Sequence, residues 1–475
     1  MQKAVECKTK IVATIGPSTW DRDKIVALAE NGVNVFRINF SHGTDAEHRK
    51  TILTVREVAN SLNLPLSILQ DLQGPKIRLG KFKNGKAFLK DGAEFILTVR
   101  DLKGNEKISS ITNKDVIKDV KKGEIIYIND GLIKLKVEKI SNSDIYTKVL
   151  EGGEISDHKG VNFPKTHLSI PSITEKDKQD LKFGLENSVD MVALSFVKRA
   201  EDVIELRKLM ESFGNVVPII SKIEKWEAVE NLEEIVEVSD GVMVARGDLG
   251  VEMPIEEIPI TQKRIIHLCN KRGKPVVTAT QMLNSMIENP TPTRAEVTDI
   301  SNAIFDGTDA VMLSNETAVG RFPVESVKMM RQIIRITEKS KLFKNFAKED
   351  EKISEHNVPD AIACSAATIA KTVKAKLIIS ATESGKTAML VSKHKPNVPI
   401  LALTPKEKTL YFLTLKWGVF PVKVKPFKTV DGILRRGPEI AKRLNLLKSG
   451  DLYVITAGSH TGVSGSTNLI KVDRA

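Results

Sequence analysis

Cysteine is almost missing from this chain: three in 475 residues, at positions 7, 269 and 364. They lie far apart and show no metal-ligand spacing, which excludes a disulfide-stapled scaffold or a cysteine zinc site and fits a reducing compartment. Aromatics make up only 5%, leaving few platforms on which bases could stack. No apolar run approaches the ~20 residues of a membrane span. The basic N-terminus, Met1 to Lys10, lacks the apolar core of a signal peptide. A cytoplasmic protein with no membrane association is expected. Acid is in short supply too, with 60 Asp and Glu against 72 Lys and Arg, a net charge of +12. That excess invites a nucleic-acid reading. The basic residues are scattered, however, and no nucleic-acid motif is present, so the charge better suits small, multiply anionic substrates.

Hydrophobic residues at 41% and charged residues at 28% are those of a globular protein, long enough for two to four domains. Eight short runs read as strands buried on both faces: Lys10–Ile15, Val33–Phe40, Leu66–Leu72, Met191–Phe196, Val217–Ile223, Gly241–Ala245, Pro275–Thr280 and Ala310–Ser314. Helical periodicity follows most of them, as in Ala200–Phe213, Ile255–Lys271 and Pro323–Ser340. Eight such alternations predict an α/β fold, a (β/α)8 TIM barrel. The repeat breaks once, after the third strand. From Pro75 to Leu168, turn pairs such as Asn84-Gly85 and Asp91-Gly92 separate short alternating runs, predicting an inserted β-rich domain placed to act as a lid. A charged, apolar-poor stretch from Asn345 to Asn357 predicts a second boundary, followed by a small α/β sheet. The expected division is barrel 1–74, lid 75–168, barrel 169–344 and a C-terminal α/β domain 345–475.

The strand ends carry the chemistry. Lys222 and Glu224 are two apart, so their side chains share a face. Asp248 follows the next strand and becomes a neighbour if the barrel closes. Glu224 and Asp248 would hold Mg²⁺ in the usual way, with water and substrate oxygens completing the shell. Lys222 would neutralise a transferring phosphoryl group. A surface Lys–Glu pair is the alternative, disfavoured because the flanking residues are too apolar for an exposed strand. Arg37 and Asn39 end the second strand, followed by Ser41-His42-Gly43. Asp71, Thr280, and Ser314 with Glu316 end others. Gly247 lets a backbone N–H approach an anion closely.

With these residues assembled, the chain resembles the pyruvate kinase family over essentially its whole length. The resemblance rests on Ala13-Thr14-Ile15-Gly16-Pro17, Arg37 to Gly43, Ser221 to Glu224, Met243 to Gly250, Ala279 to Leu283 and Pro292 to Glu296. It implies phosphoryl transfer from phosphoenolpyruvate to ADP, giving pyruvate and ATP. It further implies that Lys222 stabilises the transition state and that Glu224 and Asp248 bind Mg²⁺ or Mn²⁺. Arg37, Gly247, Asp248 and Thr280 match phosphoenolpyruvate-binding positions; Asn39, His42, Arg78 and Lys159 match the nucleotide site. Thr280 and Ser314 are the two alternatives for the end of a proton path to the enolate. Family precedent implies a homotetramer. The rivals are a metal-dependent barrel lyase or aldolase, which needs neither a nucleotide lid nor Lys222, and a basic scaffold.

Two departures carry information. Many family members need K⁺ and carry Glu two residues after the glycine that follows the third strand. This chain reads Gly74-Pro75-Lys76, and Leu72 replaces a threonine that helps hold the ion. An ammonium at Lys76 can supply that charge itself, so activity without K⁺ is expected. In the C-terminal domain, Leu377 to Thr387 ends Gly-Lys-Thr like a phosphate loop but has Ser380 where the first glycine should be. By resemblance this is an allosteric phosphate site, with Thr382, Ser384, Lys386 and Thr387 as effector contacts. The facing loop, Gly458 to Gly465, lacks Trp and Arg. A phosphorylated effector with one phosphate, a sugar monophosphate or AMP, is therefore expected rather than a bisphosphate.

Overall fold

Alternation along parallel strands explains both the core and the site of this protein, whose computed structural model describes residues 6–343, 357–458 and 467–475. Eight strands form a closed parallel barrel: β1 (Lys10–Ile15), β2 (Val33–Asn39), β3 (Ser67–Asp71), β4 (Met191–Leu194), β5 (Ile219–Ile223), β6 (Gly241–Ala245), β7 (Val276–Ala279) and β8 (Ala310–Leu313). Each pairs with its sequence neighbour, and β8 closes on β1. Val12, Val35, Leu69, Ala193 and Ile220 pack inside the barrel. Two residues further along the same strands stand Thr14, Arg37, Asp71, Ser195 and Lys222. With a side-chain period of two, the inner row that begins apolar ends polar at the C-terminal mouth. The opposite end is closed by Phe412 and Leu415 of the third domain, which join the interior cluster.

The expected insertion folds as β structure. Six strands order as Val161–Asn162, Ile125–Ile128, Ile133–Ile140, Asp144–Glu151, Glu94–Thr98 and Ile108–Ser110, beside a two-stranded Lys86–Leu89/Gly153–Ser156 ladder. Its own core gathers Phe82, Phe95, Leu97, Ile126, Leu135 and Val149. The turn pairs do what their chemistry suggests: Gly85 and Gly92 sit at φ 71° and 75°, and Asn129-Asp130-Gly131 is left-handed throughout.

The third domain is a five-stranded sheet ordered β11-β10-β9-β12-β13, from β9 (Leu377–Ala381), β10 (Ile400–Thr404), β11 (Val419–Lys423), β12 (Leu452–Gly458) and β13 (Thr467–Arg474). Only β13 runs antiparallel. Strand β11 carries Pro421, whose missing N–H is tolerated because β11 is an edge of the sheet. The stretch expected to mark the domain boundary lies outside the described residues except for Asn357, as does all of the facing loop beyond Gly458. Among the described residues, no helix is long and apolar enough to cross a membrane.

Candidate active site at the barrel mouth

Asp71 is the hub of the mouth. It is 1% exposed, and its Oδ2 accepts from Arg37 Nε at 2.6 Å while its Oδ1 lies 3.2 Å from Lys222 Nζ. Burial alone would raise its carboxyl, but Lys222 and Arg37 outweigh that and hold it below the ordinary value. Lys222 Nζ also lies 2.8 Å from Glu224 Oε1 and donates to Ser195 Oγ at 2.8 Å. Burial pulls the Lys222 ammonium down; Asp71 and Glu224 more than compensate, so it stays charged. Arg37 reaches Thr14 Oγ1 at 2.9 Å as well. Two inward cations are thus fixed by two carboxylates and two hydroxyls.

Glu224 is buried, with Oε2 accepting from Phe196 N at 2.8 Å. Burial raises its carboxyl; Lys222 opposes the shift and Asp248 adds to it. Two acids close enough to repel each other call for a cation between them. Asp248 is bound to Lys76, Nζ to Oδ1 at 3.2 Å. Among the described residues, no group of three or more His, Cys, Asp or Glu side chains forms a metal cage. Glu224 and Asp248, whose charges act on each other, are oxygen donors of the kind Mg²⁺ takes, the ion keeping waters and substrate oxygens in its shell.

Gly247 and Asp248 open the helix Arg246–Glu252 directly after β6. Gly247 N–H donates to Thr280 Oγ1 at 3.2 Å, and a Cβ at Gly247 would lie 2.9 Å from Thr280 Cγ2. Only glycine fits there without displacing Thr280. Thr280 and Gln281 are both left-handed, at φ 74° and 57°, a cost tolerated where the surroundings enforce it. Arg246 enforces it, donating to the carbonyls of Ala279 (3.2 Å) and Thr280 (2.8 Å) and pairing with Asp299 at 2.7 Å. Ser314 lies just past β8, its N–H held by Glu316 Oε2 at 2.7 Å, while Glu316 Oε1 accepts from Leu283 N at 3.0 Å. Glu316 therefore braces loops.

The nucleotide candidates converge electrostatically. Burial, then Arg78, Arg37 and Lys76 together push the His42 imidazole down, so it is neutral amid three cations. Asn39 Oδ1 accepts from Ser41 N at 3.1 Å. Arg78 donates to His158 O at 3.1 Å, and the Lys159 carbonyl takes Leu79 N–H at 2.8 Å, tying both to the lid base. Far away, Thr382 Oγ1 accepts from Gly385 N at 2.9 Å, and Thr387 meets Thr467, hydroxyl to hydroxyl, at 2.6 Å. Ser384 and Lys386 are exposed on the same turn.

Sequence reasoning missed a junction beneath the mouth. Glu252 ends the helix that Asp248 begins; its side chain is 1% exposed and meets Lys225 Nζ at 2.8 Å. Its Oε1 accepts from Asn162 of the lid at 3.2 Å. Lys198 donates to Leu168 O (2.9 Å) and Ile170 O (2.7 Å), fastening the segment that returns from the inserted domain. One signal was available: Lys225 directly follows Glu224.

A closed β/α barrel with a β-rich domain inserted after its third strand, a C-terminal α/β sheet and paired acids beside a buried lysine defines a class of multidomain barrel enzymes. Comparison with known families gives the particular one. Residues 6–327 match the model "Pyruvate kinase, barrel domain" and residues 360–473 match "Pyruvate kinase, alpha/beta domain". The chain is 47% identical over 470 residues to pyruvate kinase 2 of Synechocystis, covering 98% of this chain and 79% of that protein. It is 46% identical over 468 residues to the pyruvate kinase of Geobacillus stearothermophilus, covering 98% and 80%. To that of Clostridium perfringens it is 44% identical over 471 residues, covering 98% and 99%. The chain belongs to the pyruvate kinase family, a family of phosphotransferases.

Proposed function

We propose that the protein transfers the phosphoryl group of phosphoenolpyruvate to ADP in glycolysis, yielding pyruvate and ATP. The observation that carries this reading is the Lys222 ammonium, buried and held within 2.8 Å of Glu224 and 3.2 Å of Asp71. Arg37 and Lys222 grip the phosphate, whose bond to the enolate oxygen breaks as a bond to the terminal phosphate oxygen of ADP forms. The ammonium needs no reorganisation as charge moves, because Asp71, Glu224 and Ser195 already orient it. The Gly247 N–H and Thr280 border the substrate. The enolate then takes a proton at carbon along a path that ends at Thr280 or Ser314. Arg78, Lys159, Asn39 and His42 receive the nucleotide phosphates beneath the lid. Glu224 and Asp248 would hold Mg²⁺ or Mn²⁺, which when bound supplies charge neutralisation across the reacting oxygens.

Three further readings go with it. Lys76 takes the place of K⁺. Thr382, Ser384, Lys386 and Thr387 bind the phosphate of a sugar monophosphate or AMP; activation by either, lost in Lys386→Ala, is the measurement. The enzyme works as a cytoplasmic homotetramer, which light scattering can weigh. For the reaction itself, pyruvate formation from phosphoenolpyruvate should depend strictly on ADP. Lys222→Met should lower kcat by at least about a thousandfold with the far-UV dichroism unchanged. Pyruvate release without ADP, or a fully active Lys222→Met enzyme, would sink the reading.

A further inference from the structure

Between the barrel and the inserted domain lies a cavity of about 500 Å³, counted to its opening. That is an ordinary size for a small-molecule site. Its barrel wall comes from residues that follow β4, β5 and β6: Phe196 and Lys198, then Lys225, then Glu252. Phe163, Leu168 and Ile170, on the segment returning from the insertion, face them with apolar surface. Of the residues assigned to the reaction, Lys76 alone reaches this cavity; Arg37, Lys222, Glu224, Asp248 and Thr280 do not line it.

The lining charges do not balance. Lys76 is paired with Asp248. Lys225 Nζ lies 2.8 Å from Glu252 Oε2, yet that buried oxygen has no hydrogen bond, so the approach is off-angle and the contact is an ion pair alone. The other Glu252 oxygen is taken by Asn162. The Lys225 donors thus have no hydrogen-bonded acceptor among the described residues. Lys198 spends two of its three N–H donors on Leu168 O and Ile170 O, and among the described residues no carboxylate pairs with it. Burial pulls the Lys198 ammonium down; Arg199 and Lys225 add to that, and Asp202 and Glu227 oppose it. Neither of those two acids lines the cavity.

We propose that this cavity binds a flat aromatic monocarboxylate, its carboxylate bridging the Lys198 and Lys225 ammoniums and its ring packed against Phe163 and Phe196. Two ammoniums that repel each other across an apolar wall gain an anion, and their idle N–H donors gain acceptors. With Lys76 and Lys225 each facing one acid, a single positive charge is left over, so a monoanion completes the wall. A nucleotide or phosphate ester would bring two or more negative charges to that one cation. An amino acid would add a third ammonium to the two already there. The aromatic walls favour a ring over a short aliphatic acid. The occupant would touch both domains at once and hold the insertion against the barrel. The proposal is independent of the reaction at the mouth.

The probe is 2-naphthoate, measured by calorimetry on the full chain without divalent metal, against its neutral counterpart 2-naphthamide. Naphthoate should bind at millimolar concentration or below and raise Tm, and the amide should bind about tenfold more weakly. Excess phosphoenolpyruvate should not displace the acid. Lys198→Met should bring acid and amide to similar affinity, and Leu168→Trp, which fills the cavity and keeps both lysines, should abolish binding of either. Equal binding of acid and amide to the unmodified protein, no binding of either, displacement by phosphoenolpyruvate, or full acid binding by Lys198→Met or Leu168→Trp would each overturn the proposal. Should Lys198→Met fail to fold, Leu168→Trp and the acid–amide comparison on the unmodified protein decide.

Discussion

Lys76→Met separates a charge that matters for chemistry from one that matters for folding. Lys76 and Asp248 expose 28% and 30% of their side chains and meet at 3.2 Å. Pairs that wet contribute at most about 1 kcal/mol to stability, so the urea midpoint should barely move. Catalysis is another matter. Two unit charges ~4 Å apart interact by about 4 kcal/mol at an effective dielectric of 20. Discounting half for solvent screening leaves about 2 kcal/mol, or roughly thirtyfold in rate. We therefore expect kcat/KM for phosphoenolpyruvate to drop roughly thirtyfold in tetramethylammonium buffer, with K⁺ restoring part of the loss in the variant. The unmodified enzyme should gain nothing from K⁺. Lys76→Met with undiminished K⁺-free turnover would refute the assigned role. So would an unmodified enzyme that collapses without K⁺ and recovers with it.

Two further perturbations probe buried ion pairs away from the reacting groups. Glu252→Gln leaves Lys225 buried and unpaired, a loss of about 3–5 kcal/mol; because Glu252 also ties the Asp248 helix to the lid, Mn²⁺ affinity and KM for ADP should worsen several-fold with kcat less affected, and a folded variant with unchanged Mn²⁺ binding would exclude this positioning role. Asp309→Asn removes the acid shared by Lys395 and Lys416. Burial works to raise the Asp309 carboxyl, but the two lysines outweigh it and hold it below the ordinary value. Its stabilisation is thus complete above the unfolded value of about 3.9 and is lost as pH falls through the depressed folded value. Denaturant titrations should show the variant about 3–5 kcal/mol weaker at neutral pH, with the gap closing in acid; a gap independent of pH would contradict the charge pairing.

The eight barrel strands were legible because parallel strands buried on both faces read as continuous apolar runs, and their ends shift by at most two residues against the structure. Lys222 and Glu224 were legible for the same reason, as charges where apolar runs stop. What the sequence hid lies between distant segments. The clasp from Asp71 to Lys222 joins β3 to β5, and Glu252 gathers Asn162 and Lys225 from two other elements. The helix Arg246–Glu252 was hidden by Gly247 and Gly250, whose low propensity is overridden by the strand that leads into it and the contacts of Arg246. Lys10 reads as part of a basic terminus, whereas folding puts it under the third domain.

The two ends of the barrel treat buried cations by opposite rules, and the difference has a physical source. At the mouth, Arg37 and Lys222 share Asp71, and Glu224 adds a second negative charge. Those cations stay ionised before any substrate arrives, so a polyanion meets a preset field rather than having to create one. At the far end, Lys10 has a carbonyl and a ring face but no carboxylate. Burial pulls its amine down to about 7, against the weaker opposing pull of Glu338, Cys7 and Asp309. The first arrangement suits fast turnover of a highly charged substrate. The second leaves a buried amine whose charge changes with pH near neutrality, as burial without a paired carboxylate requires.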